Sequence, residues 1–197
     1  ARPNVMIKVP ATREGIQAVE NLTAAGINVN ITLMFSLEHY EAVAQAYLRG
    51  LEGHPNPRHV ASVASVFVSR LDTVADRLLQ DIGSPEALAL RGTIAIANAR
   101  RIYGRFREIF QGAPFARLSQ RGARVQRPLW ASTGTKNPAY SDVLYLESLV
   151  APNTITTVPP TTMDAFRDHG RVRVILGTDD SEVEATDTLA KAAALGL

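Results

Sequence analysis

The chain has 197 residues, 46% of them hydrophobic and 20% charged, the profile of about one folded domain rather than a disordered segment. Its 21 Lys and Arg against 19 Asp and Glu leave a formal charge of only +2, too small a surplus to read as a basic nucleic-acid-binding surface. Cysteine is absent, which excludes disulfides, thiolate metal ligands and cysteine nucleophiles within this chain, and no apolar run approaches the roughly 18 residues of a membrane span.

The first residues do not read as a secretory leader. The expectation is therefore a cytoplasmic α/β domain without nucleic-acid or membrane partners.

Asn4 to Pro10 is a short, mostly apolar run stopped by proline, and reads as a buried strand. Thr12 is a candidate N-cap for a helix in which Ile16, Val19 and Leu22 recur at helical spacing, with Gly26 as its stop. Ile27 to Leu33 is a second strand, rich in β-branched residues. Leu37 to Leu51 is an amphipathic helix. A Pro/Asn turn covers Gly53 to His59. Val60 to Val68 is a third strand, and Leu71 to Leu79 is helical. Strands and helices alternating at this spacing predict parallel pairing with crossover helices.

Pro85 to Phe110 reads as one long helix or two broken ones. Gly112 to Arg127 reads as a basic, glycine-containing connector. Pro128 to Thr133 is a fourth strand, Ser141 to Leu149 is helical, and Thr154 to Val158 is a fifth strand ended by Pro159-Pro160. Thr161 or Thr162 is the candidate cap of a short helix holding Met163 and Phe166. Arg171 to Gly177 is a strand or a loop, and Ser181 to Leu195 is helical.

Only three of the 21 basic residues are lysines: Lys8, Lys136 and Lys191. Lys8 lies near the C-terminal end of an apolar strand, the end at which β/α folds bind ligands. An ammonium buried there is disfavoured, and the neutral amine can add to a carbonyl to form a Schiff base. The ordinary alternative is a strand lysine that reaches solvent. Asn30 and Thr32 alternate on the second strand and face one side. They suit sugar hydroxyls and a held water, or else form a satisfied polar pair in a core.

Ser65, Phe67 and Arg70 follow one another along and just past the third strand. Arg70 has the geometry to take an anion bidentately, or to form an ordinary helix-end salt bridge. The loop Ala131-Ser132-Thr133-Gly134-Thr135-Lys136-Asn137 offers hydroxyls, backbone N–H groups and a cation to phosphate. It lacks the glycine spacing of a nucleotide P-loop. The four histidines show no paired metal spacing, and Asp179, Asp180 and Glu182 read as a solvated helix start.

Taken together, these segments resemble the transaldolase family. Ile7-Lys8-Val9-Pro10-Ala11-Thr12 is similar to its Schiff-base strand. Gly26 to Ser36, containing Asn30-Ile31-Thr32-Leu33-Met34-Phe35-Ser36, is similar to its next strand. Ser65-Val66-Phe67-Val68-Ser69-Arg70 and Trp130 to Pro138 are similar to its later site segments. The resemblance implies a (β/α)8 TIM barrel and makes Lys8 the Schiff-base amine. It gives Asn30 the hydroxyls beside the reacting carbon and Thr32 the catalytic water. Ser65 contacts the dihydroxyacetone unit and Phe67 lines the pocket, while Arg70, Ser132 and Lys136 hold phosphate. Much of the family has an arginine near the place of Lys136, in a shorter loop.

The implied reaction moves a dihydroxyacetone unit from sedoheptulose 7-phosphate or fructose 6-phosphate to glyceraldehyde 3-phosphate or erythrose 4-phosphate. It belongs to the pentose phosphate pathway and needs no cofactor or metal. A Schiff-base aldolase without transfer, or an inactive barrel fragment, is the alternative.

The first strand matches the family's fourth, so about five β/α units are expected. Residues 1–197 are then the C-terminal part of one barrel, and a closed barrel typically needs about 250 residues. The family's proton-transfer carboxylates lie on the earlier strands. The remaining strands are expected from the parent chain or a partner chain, and the 197 residues alone are expected to be weakly active or inactive.

Overall fold

The computed structural model describes residues 2–197. Five strands form one sheet in chain order: β1 (Ile7–Pro10), β2 (Val29–Met34), β3 (Ser62–Phe67), β4 (Arg127–Ala131) and β5 (Ile155–Thr156). β1 pairs parallel with β2, and β2 with β3. Helices α1 (Arg13–Ala24) and α2 (Leu37–Gly53) make the first two crossovers. Then come α3 (Ser69–Ile82), α4 (Pro85–Ala89), α5 (Ile94–Phe110) and α6 (Ala113–Gln120), all before β4. α7 (Leu144–Ser148) lies between β4 and β5, and α8 (Pro160–His169) and α9 (Asp179–Ala194) close the series. The expected α/β class with crossover helices is what the chain adopts, in keeping with part of a β/α barrel. No helix among the described residues is long and apolar enough to cross a membrane.

Two compact units divide the described residues. The first comprises residues up to Val66 together with Arg105–Leu129. Thr12 caps α1 by accepting from Gly15 N at 3.1 Å, and Ser36 caps α2 by accepting from His39 N at 3.3 Å. Gly26 takes the left-handed conformation (φ 76°) expected of a helix stop. α1 and α2 pack closely enough that a Cβ on Gly50 would lie 2.7 Å from Glu20 O. α6 corrects the reading of Gly112 to Arg127 as a connector. Pro114 sits in its first turn, and it buries Phe115 and Leu118, with Phe115 meeting Phe110 edge-on at 5.3 Å.

The second unit comprises Phe67–Gly104 and Trp130–Leu197. Its core joins α3, α4, the start of α5 and α9 through Ala75, Leu79, Ala87, Leu90, Ile94 and Ala192. The segment Pro85 to Phe110 thus resolves into two helices. Trp130 is fully buried and donates Nε1 to Leu149 O at 3.0 Å. α8 starts two or three residues earlier than a cap at Thr161 or Thr162 allows. Pro159 is its N-cap and, having no polar side-chain atom, makes no side-chain cap bond, while Pro160 supplies a first helical residue that needs no N–H partner. Arg171 to Val174 is an exposed segment without regular structure.

Candidate active site

In the first unit the site residues stand on adjacent strands. Lys8 is the Cα partner of Asn30, and Pro10 of Thr32, so Lys8 and Asn30 share a row across the sheet. Ser65, on β3, donates its hydroxyl to Asn30 Oδ1 at 2.7 Å. Ser65 is 3% exposed and Asn30 half-buried. A buried serine thereby orients an amide whose nitrogen has no partner among the described residues. Thr32 is 6% exposed, and its hydroxyl also lacks a partner there. Buried hydroxyls are normally hydrogen-bonded, so this one stands ready for a water or a sugar oxygen.

β2 is irregular just past Thr32. Its register against β3 shifts between Ile31 and Met34, and Leu33 adopts φ 62°. A left-handed leucine is strained, and strain of this kind gathers at functional sites. The bulge breaks the alternation, leaving Leu33 exposed while Met34 is buried.

Lys8 corrects one expectation. It is exposed, and so are Val5, Met6 and Ile7 beside it. Apolar flanks predict burial only if something packs over them, and β1 is the outer strand of the sheet. In this chain Lys8 is next to Asn30 in the sheet register and its side chain is not dried.

In the second unit, Arg70 lies in the first turn of α3. Its guanidinium carbon sits 5.0 Å from the centre of the Phe67 ring, a cation–π contact that limits where the fork points. Arg70 is exposed and meets no carboxylate among the described residues, so the helix-end salt bridge considered for it does not form. Ser132 ends β4 in a left-handed turn (φ 57°). Ser69 N donates to Ser132 O at 3.0 Å, and the two hydroxyls are 2.9 Å apart. That double contact brings Ser132 to the start of the helix carrying Arg70. Lys136 is exposed on the loop beyond. Thr133 donates to Thr157 O at 2.6 Å and Thr135 to Ser141 O at 2.9 Å, so these two threonines hold the loop's shape.

Sequence reasoning missed a set of acids and phenols beneath this loop, Asp72 and Tyr145 buried and Asp76 and Tyr140 half-buried. Asp72 is 1% exposed and accepts from Ala95 N at 2.7 Å and from the Tyr145 hydroxyl at 2.8 Å. Asp76 accepts from Gly92 N at 2.8 Å and from the Tyr140 hydroxyl at 2.7 Å. Burial is the main force pushing the Asp72 carboxyl above its ordinary range, with the Asp76 charge adding and the two hydrogen bonds opposing. Tyr140 is pushed up to about 12, first by burial and then by its bond to Asp76. The only local signal was Asp72 and Asp76 at i, i+4 on one helix face.

The transaldolase/fructose-6-phosphate aldolase family matches residues 1–197. A transaldolase of Mycolicibacterium smegmatis is 52% identical over 195 residues, covering 96% of this chain and 53% of that protein. A transaldolase of Mycobacterium ulcerans is 51% identical over 195 residues, covering 95% and 52%. A transaldolase of Thermobifida fusca is 52% identical over 175 residues, covering 87% and 48%. The chain spans about half the length of the curated relatives it matches.

Proposed function

Because the chain belongs to the transaldolase/fructose-6-phosphate aldolase family, we propose that it carries the Schiff-base and phosphate-binding residues of a transaldolase. The observation that carries this reading is that Lys8 is the register partner of Asn30 on the adjacent strand, while Ser65 on β3 orients the Asn30 amide.

The Lys8 amine adds to the carbonyl carbon of a ketose phosphate. Loss of water gives an iminium, which draws the electron pair of the bond between the third and fourth sugar carbons as the fourth-carbon hydroxyl gives up its proton. An aldose phosphate leaves, and a three-carbon enamine stays bound to Lys8. The enamine carbon then attacks the aldehyde of a second aldose phosphate. Water adds to the new iminium and releases the product ketose and the free amine. Asn30 and Ser65 hold the dihydroxyacetone hydroxyls, Thr32 holds the water, and Phe67 lines the pocket. Arg70, Ser132 and Lys136 hold the phosphate. Sedoheptulose 7-phosphate and fructose 6-phosphate are the donors, and glyceraldehyde 3-phosphate and erythrose 4-phosphate the acceptors, which places the step among the pentose phosphate interconversions. Sugar phosphates are charged and retained inside cells, which supports a cytoplasmic setting.

The reading also covers the exposed flank. Val5, Met6 and Ile7 leave an exposed apolar edge at β1, the outer strand of the sheet, and Leu33 on the bulge is exposed as well. We infer that further strands of the same barrel, from the parent chain or a partner chain, cover it. They would desolvate Lys8 and bring the carboxylates that move protons. The 197 residues alone then turn over sugar phosphate weakly or not at all. Wild-type-like turnover by a polypeptide of only these residues would refute that part.

Borohydride reduction in the presence of fructose 6-phosphate tests the chemistry. A stable adduct that peptide mapping places on Lys8, and that Lys8→Met removes, is the expected result. An adduct on Lys136 or Lys191, or none in the complete enzyme, would overturn the assignment. Product release that depends on an added aldose phosphate marks transfer, and release without one marks simple cleavage.

A further inference from the structure

Within the second unit, two carboxylates on α3 reach two phenols of the segment that follows β4. Asp76 takes the Tyr140 hydroxyl at 2.7 Å, and Asp72 takes the Tyr145 hydroxyl at 2.8 Å. The other oxygen of each acid takes a backbone N–H at the entry to α5, from Gly92 and Ala95. Every carboxylate oxygen therefore has a donor, and three pieces of chain meet on one helix face. The four side chains, with Ser69 and Lys136, wall a cavity of about 200 Å³.

The loop closed off by this arrangement runs from Ser132 to Tyr140. Its start is tied to α3 by the Ser69–Ser132 contacts, and its end by Tyr140. A Cβ on Gly92 would lie 3.0 Å from the Tyr140 ring, so the ring is packed tightly as well as hydrogen-bonded. Lys136 is four residues from the Tyr140 anchor and four from Ser132. Its long, exposed side chain has no ion pair among the described residues, so the loop backbone is what sets where its charge is presented.

We propose that Asp72 and Asp76, acting through Tyr145 and Tyr140, are positioning residues that fix the Ser132–Lys136 loop against the helix carrying Arg70 and so preform the phosphate cradle. This rests on the phosphate-binding reading given above. Neither acid touches the phosphate. Their negative charge beneath the loop is tolerable because each is saturated by donors, and they hold Ser132 and Lys136 in the ligand-ready arrangement before ligand arrives.

Tyr140→Phe keeps the ring and deletes only the hydroxyl. Inorganic phosphate is the probe, followed by titration calorimetry, with thermal melting and borohydride trapping by unphosphorylated dihydroxyacetone alongside. The expected result is phosphate binding weakened about fivefold to thirtyfold, near-normal melting, and unchanged adduct formation on Lys8. Faster amide hydrogen exchange across residues 133–139 accompanies it. Asp76→Asn, which keeps one acceptor oxygen, falls between wild type and Tyr140→Phe. If wild type binds phosphate, Arg70→Ala abolishes it, and Tyr140→Phe matches wild type, the positioning role is wrong and the phosphate site stands. If wild type binds no phosphate, the phosphate site itself is wrong and the positioning role falls with it. Equal losses in melting temperature, phosphate binding and dihydroxyacetone trapping would mark a purely structural bond and overturn the proposal.

Discussion

Ser65 donates its hydroxyl to Asn30 Oδ1 at 2.7 Å across adjacent strands, and this one bond decides which way the amide of Asn30 faces. Ser65→Ala removes it while leaving a side chain that fits the buried position. A neutral hydrogen bond is worth about 1 kcal/mol net, so a loss of that size is expected in urea unfolding. The adduct between Lys8 and a keto sugar should form about five times more slowly, because the amide is free to turn away. Unchanged adduct rates beside the stability loss would make the pair a packing feature only.

Gly50 tests the closeness of α1 and α2. A Cβ there would lie 2.5 Å from Thr23 Cβ and 2.7 Å from the Glu20 carbonyl, and backbone cannot step aside cheaply. Gly50→Ala is expected to cost about 1–3 kcal/mol by overpacking. Three residues on, a Cβ on Gly53 meets only Ala24 Cβ at 3.7 Å, an ordinary contact. Gly53→Ala should be neutral or stabilise by up to about 1 kcal/mol through helix propensity. Equal effects of the two substitutions in urea titrations would contradict this packing.

The first half of the chain was legible because local signals agree there. Apolar strand runs, the Thr12 cap and the Gly26 stop all point to the same βαβαβ alternation. α6 was hidden because only Phe115 and Leu118 of its eight residues are buried, with Arg117 inside it and Arg121 at its end, so its period is faint. The motif residues Lys8, Asn30, Ser65 and Arg70 could be picked from their segments, but their surroundings could not. Exposure of Lys8 depends on what covers the edge of β1, which no local pattern encodes. The bonds from Asp72 and Asp76 to Tyr145 and Tyr140 join residues 73 and 64 positions apart, and nothing in either segment alone predicts the pairing. The strained Leu33 was invisible for a related reason: a bulge is a property of two strands together.

His169 carries a small electrostatic cluster on the surface. Its ring lies 2.9 Å from Asp142 Oδ1 through Nε2 and 3.1 Å from Asp168 Oδ2 through Nδ1. The bond to Asp142, then that to Asp168, raises its pKa above the ordinary 6.5. A histidine raised on folding favours the folded state fully below 6.5, and that contribution is lost as pH rises through the folded value. NMR titration should therefore find His169 protonating above 6.5, and Asp142→Asn should move it back down. A midpoint at or below 6.5 in the wild type would show that solvent screens the cluster completely.

Asp72 predicts the opposite kind of pH dependence. Burial is the leading cause that lifts its carboxyl above the ordinary 3.8, so the folded state holds this proton more tightly than the unfolded chain does. Where folding takes up a proton, stability falls as pH rises. The penalty is absent below 3.8, grows as pH climbs from there through the raised folded value, and is constant above it. Asp72→Asn carries no such proton and still offers one oxygen to Ala95 N. The stability of wild type minus that of Asp72→Asn should therefore decline from pH 4 towards neutral, then level off. Urea unfolding of both proteins across that range measures the difference directly. Parallel profiles would mean that the donors from Ala95 and Tyr145 offset burial completely, and a difference that rises with pH would reverse the sign argued here.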